Sequence, residues 1–185
     1  AAGPGSATIT VDGGGLVALG NISLLATGAP DGTTGFGQGG TATLNVLNGG
    51  QMGAGLDLTV AADGFGGFDD GGEGGTGAGG TAAINVSGTD SLLIGDTISA
   101  SADGLGGALA LDAVTGNAIV ADNGGDGIGG NAAISVSGGA QVTATVGVVA
   151  SAAGRGRVGL DQSGNGTGGD ARIQVTGAGT TFTAP

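Results

Sequence analysis

The chain lacks several residue types altogether: it contains no Cys, His, Trp, Tyr or Lys, and only four Phe. Without His and Cys, the usual nucleophile–base pairs, zinc sites and redox pairs cannot be assembled. The absence of Cys also excludes a disulfide framework, although it leaves secretion open. We therefore predict a protein that is not an enzyme and that needs no cofactor, with calcium as the one candidate considered below.

Positive charge is also scarce, since three Arg face 15 acidic residues and the formal net charge is -12. A nucleic-acid-binding protein needs a basic surface that displaces counterions from phosphates, so nucleic acid is not an expected partner. Anionic membrane surfaces are disfavoured for the same reason. The longest apolar stretches, such as residues 92–94 and 146–150, are far shorter than the roughly 20 residues of a membrane helix, so we expect no membrane insertion.

Glycine is abundant instead, with 49 of 185 residues against an average usage of about 7%. Such richness suggests disorder, but 39% of the residues are hydrophobic and Pro occurs only three times. Disordered chains tend towards the opposite balance. The apolar residues are mostly Ala, Val, Ile and Leu, which suit a thin core between stacked strands better than a wide globular core.

One five-residue signature, Ala-x-Ile-x-Val with small variations, recurs five times. The copies occupy residues 7–11, 42–46, 82–86, 132–136 and 171–175. Their third positions are Ile9, Leu44, Ile84, Ile134 and Ile173, which lie 35, 40, 50 and 39 residues apart. The alternation places three apolar side chains on one face of a strand. We predict that the five strands stack in register and share one interior, with neighbouring strands about 4.8 Å apart.

A second motif, Gly-x-Gly-x-Gly-Gly-[Thr/Asn/Asp]-Ala, precedes four of the five signatures. Its copies are residues 35–42, 75–82, 125–132 and 164–171. Alternating glycine leaves one face of an extended chain without side chains, so we expect very close approach to a neighbouring backbone. A phosphate-binding loop is not indicated, because a strand rather than a helix follows and Lys is absent.

The fold class follows from these repeats: all-β, a β-solenoid with glycine-rich loop excursions. Helix has little support, because each interior Gly costs about 1 kcal/mol relative to Ala. Residues 108–120 could be argued either way. We interpret them as an extra pair of strands, because the third repeat is longer than its neighbours. We expect residues 1–185 to be one repeat domain, an excerpt of a longer array, with repeats at about 6–40, 41–80, 81–130, 131–169 and 170–185.

The glycine-rich unit Gly-Gly-x-Ala-x-Ile-x-Val-Ser-Gly-Gly, best seen at residues 129–139, resembles the passenger regions of bacterial autotransporters and giant β-strand-repeat adhesins. The ending at residues 175–183 is similar to their recurrent rungs of the pattern Val-x-Gly-x-Gly-Ser/Thr-x-hydrophobic-Thr. The resemblance implies a right-handed β-solenoid (a parallel β-helix), an extracellular or cell-surface location, and a stalk or adhesive role. Expected partners are flanking repeats or copies of the same chain, and a host-surface or matrix ligand.

Two acidic glycine loops, residues 69–73 and 122–126, are the candidate metal site. The candidate ligands are Asp69, Asp70, Glu73, Asp122 and Asp126. Oxygen ligands on flexible loops suit calcium. The loops match neither the EF-hand nor the calcium-binding β-roll nonapeptide. The competing interpretation is that these carboxylates are solvated turn residues, and it is the one that we favour.

Three other features of the sequence allow more than one interpretation. Thr-x-Thr pairs suggest ice binding, but the copies aligned with Thr8 and Thr10 do not keep the pair, so we set that function aside. The column Thr10, Asn45, Asn85, Ser135 and Gln174 is either a hydrogen-bonded ladder or, as we prefer, an ordinary solvent-facing strand surface. Phe36, Phe65 and Phe68 lie in the glycine excursions, where they either cap the loops or contact a neighbouring chain.

Two functions compete with the stalk. One is a glycine-rich receptor-binding module, as at a phage tip, in which Gly-x-Gly runs pack as polyproline-II helices. The other is a polysaccharide lyase built on a β-helix. That class of enzyme displays acidic and basic residues together on one strand face, whereas here Arg155, Arg157 and Arg172 do not coincide with the Asp groups.

Overall fold

The computed structural model describes residues 4–18, 20–107, 109–111 and 118–185. Within these ranges the chain is all-β, with 21 strands and no helix. The strands of the first repeat are β1 (Ser6–Asp12), β2 (Gly15–Ala18), β3 (Ile22–Leu25) and β4 (Gly37–Gln38). Those of the second are β5 (Thr41–Leu47), β6 (Gln51–Ala54), β7 (Leu58–Ala61), β8 (Gly64–Phe65) and β9 (Gly77–Ala78).

The later repeats keep this order with small changes. The third contains β10 (Thr81–Ser87), β11 (Leu92–Ser101), β12 (Gly104–Leu105), β13 (Leu109–Leu111), β14 (Ala118–Val120) and β15 (Gly127–Ile128). The fourth contains β16 (Asn131–Ser137), β17 (Gln141–Ser151), β18 (Gly154–Arg155) and β19 (Gly166–Thr167). The last strands are β20 (Asp170–Thr176) and β21 (Thr181–Thr183).

The five signature segments form one parallel sheet, the signature sheet, in the order β1-β5-β10-β16-β20. Its register pairs Ile9 with Leu44, then Ile84, Ile134 and Ile173. The predicted stacking in register is therefore confirmed. The side chains of Leu44, Ile84 and Ile134 are buried, because the alternation turns every second residue inward. Ile173, on the edge strand β20, is 44% exposed.

A second parallel sheet, the facing sheet, packs its apolar side chains against the signature sheet. It consists of β2, β6, β11, β17 and β21, with β7 paired to β11 and β3 paired to β7. Met52, Leu93 and Val142 occupy one interior column and Leu58 and Ile98 another, and all five belong to the same buried cluster as Ile84. The core is a thin aliphatic layer between two parallel sheets, as the composition suggested.

Two smaller parallel sheets, the glycine sheets, carry the excursions. The first contains β8, β12 and β18, and the second contains β4, β9, β15 and β19. A Cβ added at Gly77 would overlap the backbone oxygen of Leu105, and one added at Gly104 would overlap that of Ile128. The two sheets therefore touch backbone to backbone, and the expectation of close approach at alternating glycines is confirmed. The excursions are paired strands rather than loops that merely project from the core.

The long third repeat contains the predicted extra strands, since β13 and β14 form an antiparallel pair. Leu109 pairs with Val120, and Leu111 pairs with Ala118. We call this pair the hairpin. It forms a two-stranded sheet that is separate from the four parallel sheets. The interpretation of residues 108–120 as strands is thus confirmed for the six residues of β13 and β14.

Candidate functional site

The first acidic segment is folded around its own carboxylate. Asp69 Oδ1 accepts hydrogen bonds from the backbone N–H of Gly71 and of Glu73, each at 2.8 Å. An antiparallel bridge between Phe68 and Gly74 closes the loop. A carboxylate that accepts N–H bonds within its own turn stabilises that turn, as Asp commonly does. This behaviour matches the turn-residue interpretation of Asp69.

The structure brings the two acidic segments into contact. Glu73 Oε2 accepts a hydrogen bond from the backbone N–H of Asn123 at 2.9 Å, and the N–H of Gly74 donates to the carbonyl of Asn123 at the same distance. Asp126 Oδ1 in turn accepts from the N–H of Asn165 at 2.6 Å. Carboxylates therefore link the second excursion to the third and the third to the fourth.

Three of the five candidate metal ligands are thus acceptors for backbone N–H groups, namely Asp69, Glu73 and Asp126. Asp70 and Asp122 have exposed side chains. In the part of the chain that the structure describes, no three acidic side chains gather closely enough to hold a metal ion. Calcium binding at these loops stays a prediction.

A carboxylate staircase at the end of the facing strands was missed by sequence reasoning. Asp63 Oδ1 accepts from the hydroxyl of Ser101 at 2.5 Å and from the N–H of Asp103 at 2.8 Å. Asp103 Oδ1 repeats the arrangement one repeat later, with Ser151 at 2.6 Å and Ala153 at 2.7 Å. The available signal was the recurring Ala-Asp-Gly turn, with Ser two residues before the second Asp.

A hydroxyl staple at the other turn was also missed. Ser91, which is fully buried, donates to the carbonyl of Ser87 at 2.7 Å and accepts from the N–H of Gly49 in the preceding repeat at 3.0 Å. Thr180 makes the same two bonds two repeats later. Its hydroxyl donates to the carbonyl of Thr176 and accepts from the backbone N–H of Gly139. Both turns contain a glycine at φ 94°, a conformation that side chains rarely tolerate.

The polar column on the outer face of the signature sheet is a ladder in its first three strands, which corrects our preference for a plain solvent-facing surface. The amide of Asn85 donates to the side-chain oxygen of Asn45 at 2.9 Å, and the amide of Asn45 donates to the hydroxyl of Thr10 at 3.3 Å. Stacking in register brings equivalent side chains close enough to bond. The ladder therefore stabilises the contact between repeats.

The same register bears on the Thr-x-Thr pairs. Thr8 is followed in its column by Thr43, Ala83, Ala133 and Arg172. The pairing agrees with the sequence alignment, so the outer face carries no continuous double row of threonines. A flat face that matches ice requires such a row in every repeat.

Two of the three phenylalanines in the excursions are exposed. Phe65 lies in strand β8 and pairs with Leu105, so it does not occupy a loop as expected, and it remains 41% exposed. Phe36 is 40% exposed. At the first excursion, the N–H and hydroxyl of Thr34 bond the carboxylate of Asp31 and hold its pKa below the usual value.

Comparisons with known proteins give no relative: no family model matches the chain, and no curated protein or solved structure is similar enough to match. A search of the described residues for a helix of sufficient length and apolarity to cross a membrane found none. The function has to be argued from the geometry alone. That geometry consists of repeated contacts between neighbouring repeats.

Proposed function

We propose that the chain is a β-solenoid segment that serves as a rigid stalk or filament on a bacterial surface, outside the cell and without catalysis. The observation that carries this proposal is a closing backbone bond in each of four repeats. The N–H of the last glycine before a signature strand donates to an alanine carbonyl near the end of the facing strand. The pairs are Gly40–Ala26, Gly80–Ala62, Gly130–Ala102 and Gly169–Ala152, at 2.6–2.7 Å.

These bonds support a coiled path, because each joins the last glycine of a repeat to the residue that follows the facing strand of the same repeat. The next residue, the first of the following signature strand, then bonds one repeat back, as in Thr41 to Gly5 at 3.0 Å and Thr81 to Gly40 at 2.9 Å. The signature strands follow one another in chain order, β1-β5-β10-β16-β20, and every neighbour is parallel. A chain that returns to the same point after each repeat and advances by one strand spacing describes a solenoid. Such an array gains its stability from nearest-neighbour contacts and lengthens with each repeat.

The polar groups also support a mechanical role, because they bond between repeats. Asp63, Asp103 and Glu73 each accept bonds from the following repeat, so carboxylates reinforce the stack. The uncharged ladder of Thr10, Asn45 and Asn85 joins the first three strands on the outer face of the signature sheet. The partners that suit such a stalk are flanking repeats or further copies of the chain, together with a host-surface or matrix ligand.

Single-molecule force spectroscopy on the chain, held at its two termini, tests the stalk function. We expect repeats to detach one after another, each releasing about 40 residues and thus about 140 Å of contour length. A chain that extends smoothly at low force would contradict the rigid stalk. Turnover of a polysaccharide by the purified chain would favour the lyase, and a polyproline-II circular dichroism spectrum would favour the receptor-binding module.

A further inference from the structure

Neighbouring repeats are joined by side-chain bonds of two kinds, charged and uncharged. We call the contact between the second and third repeats junction 2/3, and the contact between the third and fourth repeats junction 3/4. Each junction contains carboxylates that accept bonds from the following repeat. They are Asp57, Asp63 and Glu73 at junction 2/3, and Asp96, Asp103 and Asp126 at junction 3/4. The charged bonds therefore do not distinguish the two junctions.

The uncharged bonds do distinguish them. At junction 2/3, the hydroxyl of Ser99 donates to the carbonyl of Leu58 and to the hydroxyl of Thr59, each at 3.3 Å. The amide of Asn85 and the hydroxyl of Ser91 also bond the second repeat, in the amide ladder and the hydroxyl staple. Junction 2/3 thus has a set of uncharged bonds in addition to its carboxylates.

The register explains why these uncharged bonds stop at the third repeat. Val149 pairs with Ser99, so the fourth repeat has no hydroxyl at that position. Ala140 directly precedes β17 at the place where the third repeat has Ser91. Ser135 stands beside the last amide of the ladder, and within the described part of the chain no side-chain bond continues the ladder. The side-chain bonds that cross junction 3/4 among the described residues all end on carboxylates.

The apolar columns of the facing sheet also become smaller towards the fourth repeat. Three columns cross both junctions: Met52, Leu93 and Val142; Leu58, Ile98 and Val148; and Val60, Ala100 and Ala150. Main-chain pairing is alike, since the signature strands pair over seven residues at each junction and β11 pairs along both of its halves. These columns therefore bring less apolar surface together at junction 3/4 than at junction 2/3.

We propose that junction 3/4 is a built-in opening point, at which the stack separates while the second and third repeats stay together. Each repeat of such an array contacts only its neighbours, so the array opens at the interface with the smaller free energy of contact. Junction 3/4 is that interface, because it lacks the uncharged bonds and has the smaller apolar columns. In the proposed stalk, on which only this mechanical role rests, the opening point lets the rod lengthen at one defined place under tension.

Native-state hydrogen exchange of two matched backbone amides tests this proposal on the whole chain. The N–H of Ala62 donates to the carbonyl of Ser101 across junction 2/3 at 2.8 Å. The N–H of Ala102 donates to the carbonyl of Ser151 across junction 3/4 at the same distance, and both alanines are fully buried. We expect the protection factor measured by NMR to be at least about tenfold lower for Ala102, because its amide is exposed whenever junction 3/4 opens.

Substitutions in one column separate the uncharged bonds from position in the stack. Val149→Thr places a hydroxyl beside Ser99 at junction 3/4 and should raise the protection factor of Ala102 by about two- to tenfold. The matched control is Val146→Thr, which changes an exposed valine of the same strand and should leave both protection factors as in the parent. Ser99→Ala removes uncharged bonds at junction 2/3 and should lower the protection factor of Ala62 by a similar factor.

Equal protection of Ala62 and Ala102, or weaker protection of Ala62, would overturn the proposal. So would a Val149→Thr variant that behaves like Val146→Thr, because the missing uncharged bonds would then not decide where the stack opens. Either result leaves the stalk standing, since both amides are still protected. Absence of protection at both amides would contradict the stacking itself, and with it both the stalk and the opening point.

Discussion

Between the signature sheet and the facing sheet, aliphatic side chains fill the interior; between the two glycine sheets, the backbones touch directly. Ile84 is fully buried among other aliphatic residues. Gly77 has no room even for a methyl group, because the oxygen of Leu105 occupies the space. Both regions keep the same stacking of repeats, but the first excludes smaller residues and the second excludes larger ones. The two halves of each repeat should therefore respond oppositely to changes in side-chain size.

The largest effect should come from adding one carbon atom to the glycine layer. In Gly77→Ala, the new methyl group would overlap the backbone oxygens of Leu105 and Gly64, which cannot move without disturbing paired strands. We expect a loss of about 3 kcal/mol or more in the free energy of unfolding. Urea titration followed by circular dichroism measures it.

Gly53→Ala is the matched control, because Gly53 also lies in a strand and nothing stands within 4 Å of the added carbon. Its unfolding free energy should change by no more than about 1 kcal/mol, and a small gain is allowed. If Gly53→Ala and Gly77→Ala lower the free energy of unfolding equally, the effect at Gly77 does not come from contact with the neighbouring backbone.

The next effect should come from removing carbon atoms from the aliphatic layer. Ile84→Ala leaves a cavity in a fully buried column, which typically lowers the free energy of unfolding by about 2–5 kcal/mol. Ile173→Ala truncates the same column at its 44%-exposed edge and should cost clearly less. Thermal and urea unfolding of the two variants compare them, and similar losses would mean that burial does not follow position in the stack.

A smaller effect should follow from cutting the carboxylate staircase between the two regions. Asp103→Ala leaves the hydroxyl of Ser151 and the N–H of Ala153 without their acceptor, at a cost of about 1–3 kcal/mol. The exposed Asp70 provides the control, since Asp70→Ala should change the unfolding free energy by less than about 0.5 kcal/mol. If Asp103→Ala and Asp70→Ala change the free energy of unfolding equally, the staircase does not stabilise the contact between repeats.

The smallest effect should come from the amide ladder on the outer face of the signature sheet. Asn85→Ala removes the donor to Asn45 and should lower the free energy of unfolding by about 0.2–1 kcal/mol. Ser135→Ala, in the same column on the next strand, is the comparison. If both substitutions are neutral, the Asn45–Asn85 bond adds nothing to the contact between repeats.

The sequence predicted the parts of the fold that depend on local alternation. Ile84 and Val86 face inward because they sit two residues apart in a strand, and their register followed from the repeat. The staircase was missed although its Ala-Asp-Gly turn recurs in the sequence, because Asp63 and Asp103 look like ordinary turn residues until the repeats are stacked. The amide ladder was one of two interpretations of its column, and the sequence alone did not favour it, because Asn45 and Asn85 are 40 residues apart and their side chains bond only in the sheet.

The glycine sheets lie between these cases. The Gly-x-Gly pattern predicted that a backbone would approach closely, but not which backbone. That the oxygen of Leu105 meets Gly77, and the oxygen of Ile128 meets Gly104, depends on how one glycine sheet lies on the other. The candidate calcium ligands show the same limit, because the contact between Glu73 and Asn123 joins loops that are far apart in the sequence.

Disulfide trapping of neighbouring signature strands tests the central claim most directly, since the chain contains no cysteine of its own. Thr43 and Ala83 are register partners on β5 and β10, at a spacing of about 4.8 Å that a disulfide can bridge. We predict rapid oxidation of Thr43→Cys with Ala83→Cys and none of Thr43→Cys with Ser87→Cys, which is displaced four residues along the strand. Equal trapping of both pairs, or trapping of neither, would contradict the in-register stack.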